Sequence, residues 1–430
     1  MSDPGREMYA LLERLYPLCR SLTGDGVRGT LDLIEEQIPL QRTEVPSGTQ
    51  VYDWTLPREW NIRGAWLDGP DGQRIVDFAD SNLHVLGYSV PVHERLSLTD
   101  LREHLFSDPE HPDVIPYRTS YHDENWGFCL PHRQLEALPD GEYEAVIDST
   151  LADGAVTYAE CLLPGQSEDE VLLSTYICHP SLCNDNLSGI VLLTELAKHL
   201  ADRPRHYSYR FLFSPATIGP LTWLSRNEER LHRIKHGLVA ACVGDPGSLT
   251  YKRSRRGDTP VDRAAEQVVR AAGGEVRDFT PLGGDERQFC SPGFDLPVGV
   301  LTRTPQDEFP GYHSSADNLE LVRPEQLADS FATYLAVFDL LESGAEEGNA
   351  TYVNMNPKGE PQLGKRGLYR AIGGGSFTEG ALLWVLNLSD GHHDLGAIAE
   401  RSGLAFSEIR EAADQLLAAG LLEAAEDRVS

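Results

Sequence analysis

The stretch from Val171 to Gly189, VLLSTYICHPSLCNDNLSG, constrains the fold more than any other part of the chain. Its apolar and β-branched run, Val171 to Ile177, reads as a buried strand. The strand stops at a polar loop carrying His179 and Asp185, and the GIVLLTELAKHL that follows has helical length and spacing. In open α/β sheets functional groups gather at the carboxyl ends of strands, so a strand ending in His and Asp is a place to hold a metal.

The rest of the chain extends this frame. After VLLSTYI and its helix come YSYRFLFS, LTWLSRNEERLHRI, GLVAACVGD, VDRAAEQVVRAAGG, EVRDFTPL, DLPVGVLTRT and PEQLADSFATYLAVFDLLES. Strands alternating with helices of this length predict an α/β class with a mostly parallel sheet sandwiched by helices. Residues 7–39 read as two helices joined at TGDG. Residues 51–164 change to short alternating runs such as IRGAWL, RIVDFA, YEAVIDS and VTYAECLL, and read as an inserted β-rich domain. The α/β domain is then 1–50 with 165–343. Residues 344–368, rich in Gly, Pro, Asn and Glu, read as a linker, and 369–430 as a winged-helix-like domain.

With 67 acidic against 37 basic residues the formal charge is −30, which repels phosphate backbones and anionic membranes. Nucleic acid and membrane are therefore not expected partners. YKRSRRG at 251–257 is too short to reverse this and reads as a solvated loop or an anion-positioning element. Glu408, Arg410, Glu411 and Asp414 would give a recognition helix a net acidic face, so packing or homo-oligomerisation is the expected role of the tail. The amino terminus carries charges throughout and no long apolar run exists, which places the protein in the cytoplasm. Seven cysteines without paired spacing read as buried free thiols.

Four side chains fall at or just beyond expected strand ends: His179, Asp185, Asp245 in CVGDPGS and His313 in GYHSSADNLELV. Taken singly, each reads better as a hydrogen-bonded core histidine or a helix cap. Together, two imidazoles and two carboxylates suit zinc, and two ions can share them if one carboxylate bridges. The segment Tyr117–His132, with Tyr117, Arg118, Tyr121 and Trp126, either lines a substrate pocket or belongs to the core of the β-rich domain. Asp285 and Glu286 in GGDERQF either contact substrate or serve as a helix cap and an ion pair with Arg287.

The ordered set H…NDNLSG…GD…YHSSAD resembles the co-catalytic di-zinc aminopeptidases of the bacterial leucyl aminopeptidase type, in the MH clan of metallopeptidases. Nearly the whole chain is similar to a bacterial branch of that group with an inserted β domain and a winged-helix tail, through CRSLTGDGVR, YRTSYHDENWGFC, STYICHPSLCNDNLSG, GGDERQFCSPGFDLPVG and NPKGEPQLGKRGLY. The resemblance implies one or two zinc ions, with His179 and Asp245 on one, His313 on the other and Asp185 bridging, and Tyr312 beside the substrate. It also implies cleavage of an amide bond in a small peptide-like or aminoacylated substrate, in a specialised biosynthetic step.

Two positions depart from the pattern. The group carries an acid pair after the strand that follows the bridging Asp, the first a general base, whereas this chain reads FSPATIGP, with Ala216 and Thr217 there. A methyl group accepts no proton, which removes roughly 10²–10⁴-fold of rate from a general-base mechanism. Three explanations stand side by side: natural loss of hydrolysis, replacement by Glu286 or Asp285, or a single Glu→Ala change. Ser181 also stands where an Asp usually orients the first histidine. The alternative function is a non-hydrolytic metal-binding protein or an acyl-transfer or ligase-like enzyme on the same fold.

Overall fold

The computed structural model describes residues 3–121, 123–348, 351–359, 361–368 and 379–425. The chain divides into two compact units, Met1–Phe338 and Asp339–Ser430. The first opens with helix α1 (Pro4–Leu15), capped by the Asp3 carboxylate, which accepts the Arg6 N–H at 3.3 Å. Met8, Leu11, Leu12 and Leu15 fall on one face at helical spacing and are buried. Helix α2 (Asp25–Glu35) follows, as the sequence leads one to expect.

The strands of this unit's two larger sheets, in chain order, are β1 (Gln41–Pro46), β2 (Glu59–Asp68), β3 (Arg74–Asp77), β4 (Val92–Ser97), β5 (Glu142–Ala152), β6 (Ala155–Leu163), β7 (Glu170–Tyr176), β8 (Ser208–Ser214), β9 (Ile234–Ala240), β10 (Thr250–Lys252), β11 (Glu275–Arg277) and β12 (Val298–Thr302). The main sheet has the order β1-β6-β8-β7-β9-β12-β10-β11. Its centre, β8-β7-β9-β12, is parallel. Every residue of β7 and β8 is buried, which is why the β7 stretch Val171–Leu173 runs on without polar alternation. Helices α3 (Ser188–Ala201), α4 (Ile218–Asn227) and α5 (Pro260–Ala271) connect the parallel strands, and α6 (Glu286–Phe289) and α7 (Pro324–Gly348) follow.

The insertion is a four-stranded antiparallel sheet in the order β3-β2-β5-β4. Strand β6, assigned to the insertion from composition, pairs instead with β1 and β8 in the main sheet. A strand buried on both faces looks alike in either sheet, so the local pattern could not assign it. Of the basic run at 251–257, Tyr251 and Lys252 lie in strand β10 and 253–257 form a loop with Arg255 and Arg256 exposed; Lys252 pairs with Glu286, Arg253 with Glu266 and Asp278, and Arg255 and Arg256 with Asp295. Its charge is spent internally.

Deep in the sheet, Arg210 on β8 bridges Glu160 on β6 (2.8 Å) and Glu170 on β7 (2.6 Å), all three nearly fully buried. Removing the cation leaves two buried carboxylates facing each other. Arg210→Met is expected to cost about 3–5 kcal/mol in urea unfolding, as breaking a buried pair does.

In the second unit, Thr351–Asn354 forms β13, which pairs with β14 (Asp390–Asp394) and β15 (Leu422–Ala424). This segment falls in the expected linker; its Thr-Tyr-Val run favours a strand despite the Gly- and Pro-rich flanks. Helices α8 (Glu379–Leu388), α9 (Leu395–Ser402) and α10 (Phe406–Ala418) pack with this sheet around Leu382, Val385, Ile398, Ile409, Ala413 and Leu416. The arrangement is a winged helix. Of the stretch assigned to it, residues 369–378 and 426–430 lie outside those described.

Candidate metal centre

Strand β7 ends at Tyr176, and the chain runs through Ile177 and Cys178 to His179. Asp185 lies in the turn Cys183–Leu187 that leads into α3. His313 arrives from the loop after β12 with a left-handed φ of 51°. The insertion holds that loop: the Tyr117 N–H donates to the His313 carbonyl at 2.7 Å, and Pro116 bridges Ser314. The three side chains converge, one ligand atom from each lying within 4.8 Å of the others.

Asp185 Oδ2 is 3.0 Å from His313 Nε2 and 3.8 Å from His179 Nε2. Asp185 Oδ2 and His313 Nε2 are buried and, beyond facing each other, have no hydrogen-bond partner. Buried polar atoms are rarely left so, and a cation between them would satisfy both. Burial pushes the His179 imidazolium down to about 4, so the ring is neutral near pH 7 and its lone pair is available. Burial would raise the Asp185 carboxyl, but His179, His313 and the Tyr176 hydroxyl outweigh it and hold it below the ordinary range. Two imidazoles and one carboxylate are a donor set that fits a catalytic zinc.

The supporting contacts are specific. Arg20, fully buried, donates from Nε to the His179 carbonyl at 2.8 Å and from Nη1 to the Leu15 carbonyl at 2.7 Å. Cys178 Sγ is 3.2 Å from His179 Nδ1. Ser181 does not orient that ring; its hydroxyl donates to the Tyr16 carbonyl at 2.7 Å. The Asp317 carboxylate accepts the Asn184 and Asp185 N–H groups at 2.6 and 2.8 Å, fixing the turn that carries Asp185. Tyr176 donates to Asp185 Oδ1 and accepts from Gln306 Nε2 at 2.7 Å. Arg20, Tyr176 and Asp317 sit inside stretches singled out by sequence, yet nothing local marks their roles. Gln306 carries no signal at all.

Asp245 is not brought to the cluster. Its carboxylate accepts from Asn184 Nδ2 (3.0 Å), the Gly247 N–H (2.7 Å) and the Thr304 hydroxyl (2.5 Å), which uses both oxygens to pin the loop after β9. Trp126 also lies elsewhere, in the apolar core of the insertion, stacked on His104 with centroids 3.7 Å apart. Arg118 is exposed, its guanidinium donating to the Tyr117 carbonyl. Tyr117 and Tyr312 do reach the centre: the Tyr117 ring is 5.3 Å from His179 and 5.2 Å from His313, and Tyr312 stacks on His313 at 3.9 Å. Tyr121 supports Tyr117 through a 2.8 Å hydroxyl contact.

Ala216 follows β8 and packs its methyl among Tyr176, Cys178, Cys242 and Phe309. Beside it, Thr217 adopts a φ of 62° and donates its N–H to Asp285 Oδ1 at 2.7 Å. Asp285 is buried, its Oδ2 has no hydrogen-bond partner, and its carboxyl is pushed up to about 7 by burial and the Glu286 charge, against the pull of the Thr217 N–H. Glu286 pairs with Lys252 at 2.5 Å instead of with Arg287.

Residues 9–344 match the family described as a domain of unknown function (DUF4910), and residues 350–424 match a winged helix-turn-helix. The chain belongs to the DUF4910 family. A Clostridium acetobutylicum protein is 53% identical over 427 residues, 98% of this chain and 97% of its own; its name proposes polysaccharide biosynthesis and an aminopeptidase-like domain. A crystal structure from Clostridium acetobutylicum, whose name proposes a peptidase, is 51% identical with a TM-score of 0.81, covering 98% of this chain and 96% of that one. A zinc aminopeptidase from Bacillus subtilis superposes with a TM-score of 0.56 at 14% identity, covering 78% of this chain and 94% of that one. At that identity the likeness is one of fold, and the DUF4910 chain has an aminopeptidase-like fold. Among the described residues no helix is long and apolar enough to cross a membrane.

Proposed function

We propose that this protein is a zinc-dependent hydrolase of an amide bond in a small peptide-like or aminoacylated substrate. The observation that carries the reading is the His179, Asp185, His313 cluster, with two orphaned ligand atoms, at the carboxyl end of the central strand. A zinc ion held there supplies polarisation of the scissile carbonyl and acidification of water. Asp285 takes the part of the missing acid: its free Oδ2 accepts the proton of the attacking water, and the Thr217 N–H holds its other oxygen. Tyr117 and Tyr312 wall the centre and restrict entry to small substrates. The polysaccharide-biosynthesis name of the Clostridium acetobutylicum relative fits a specialised biosynthetic step better than protein turnover. We assign the winged helix to packing or self-association, since α10 carries Glu408, Glu411 and Asp414 against Arg410. A shift of duplex DNA at low ionic strength would overturn that assignment.

Zinc content and a panel of aminoacyl amides test the main reading; zinc-loaded protein inert across the panel would sink it. The apolar setting of the Ala216 methyl favours a second reading, a metal-binding protein that does not hydrolyse. Ala216→Glu separates the two. With Asp285 serving as base, hydrolysis predicts measurable turnover in both the parent protein and the variant. The second reading predicts ligand binding with no turnover in either form.

A further inference from the structure

Asp185 can bridge two metal ions only if each of its oxygens is free to serve one. Oδ2 faces the two histidines, while Oδ1 accepts the hydroxyl proton of Tyr176. Tyr176 is itself held: it ends a fully buried strand, only 2% exposed, and Gln306 Nε2 donates to its oxygen at 2.7 Å. The phenol therefore has its proton on Asp185 and a lone pair on Gln306, and no rotation keeps both bonds.

The groups around Oδ1 offer little to a second cation. Asp245 is consumed by Asn184, Gly247 and Thr304. The residue of that segment packed against Tyr176 is Cys242, fully buried and offering a thiol instead of a carboxylate. Ala216 has no donor atom, and the Thr217 hydroxyl lies 3.4 Å from the Arg287 guanidinium.

We infer that Tyr176, locked by Gln306, is a positioning residue that reserves one Asp185 oxygen for metal and makes the centre mononuclear. This rests on the reading of the cluster as a metal centre, and the metal count separates the two claims. Full-length protein and Tyr176→Phe, which removes only the hydroxyl, are stripped with chelator and titrated with Co²⁺. Bound metal is counted by mass spectrometry and the visible d–d absorption is followed. The parent protein is expected to saturate at one ion per chain. Tyr176→Phe is expected to take up a second ion, with a further rise in absorption past the first equivalent and spin coupling in the electron paramagnetic resonance spectrum. Gln306→Leu, which frees the phenol, is expected to move the same way by a smaller amount.

The first ion is expected to bind Tyr176→Phe roughly 10–100-fold more weakly, the loss typical of an outer partner of a ligand. Two ions in the parent protein would overturn the lock and leave the metal centre standing. No ion in the parent protein would overturn the metal centre and the lock with it. One ion in both the parent and Tyr176→Phe would also overturn the lock.

Discussion

Asp185→Asn is expected to abolish metal binding and hydrolysis together. Asp185 is the one anionic member of the cluster and is wholly buried, so nothing in solvent replaces its charge. An asparagine has the same shape but no charge, and its amide would turn either a donor toward the imidazoles or a weak carbonyl toward the cation. Losing an outer partner of a metal ligand already costs about 10–100-fold in affinity, so losing this ligand is expected to exceed that. The check needs no substrate. A ligand that binds only the folded state at 100 times its dissociation constant raises stability by about 2.7 kcal/mol. Added Zn²⁺ should therefore raise the melting temperature of the parent protein and leave Asp185→Asn where it was. An equal rise in both would place the metal elsewhere.

Asp285→Asn is expected to lower turnover by about 10²–10⁴-fold while leaving metal content unchanged. It is not a member of the metal cluster, so the split between activity and metal loading is the diagnostic. The pH behaviour follows from the same carboxyl. Burial, with Glu286 adding to it, pushes Asp285 up to about 7, above the roughly 3.9 of an unfolded chain. The folded state thus holds this proton more tightly. Its contribution to stability is full below about pH 4 and is lost as pH rises through about 7. The proton-accepting form grows over the same interval, so turnover should climb as stability declines. In Asp285→Asn the decline in stability should flatten across that window, and a turnover profile still rising through pH 7 would assign the base elsewhere.

Much of the architecture was legible because it is written locally. The apolar run Val171–Ile177, the helical periodicity after Gly189 and the strand and helix lengths that follow fix an α/β sandwich whatever surrounds them. The candidate ligands His179, Asp185 and His313 were legible too, as polar residues in loops that follow strands. Strand β6 was less so, since the same buried run satisfies the insertion or the main sheet, and only pairing with β1 and β8 decides. Strand β13 was hidden by Gly- and Pro-rich neighbours.

Asp245 and Trp126 show why the site itself was harder. A carboxylate after a strand reads as a ligand until its competitors are known, and here Asn184 and Thr304 take it first. An aromatic in a polar loop reads as a pocket wall until its stacking partner, His104, turns it into the core.

By itself the sequence determined the parallel centre of the sheet, the strand end that leads to His179 and Asp185, and that Ala216 carries no acid. Only the tertiary structure brought Asp285 to the Thr217 N–H and set the Tyr176 hydroxyl, held by Gln306, on Asp185. Both depend on contacts between residues remote in the chain: Thr217 meets Asp285 across 68 positions, and Tyr176 meets Gln306 across 130. Periodicity records which face of an element is buried. The partner met on that face is set by packing, and a hydrogen bond between distant residues leaves no local pattern to read.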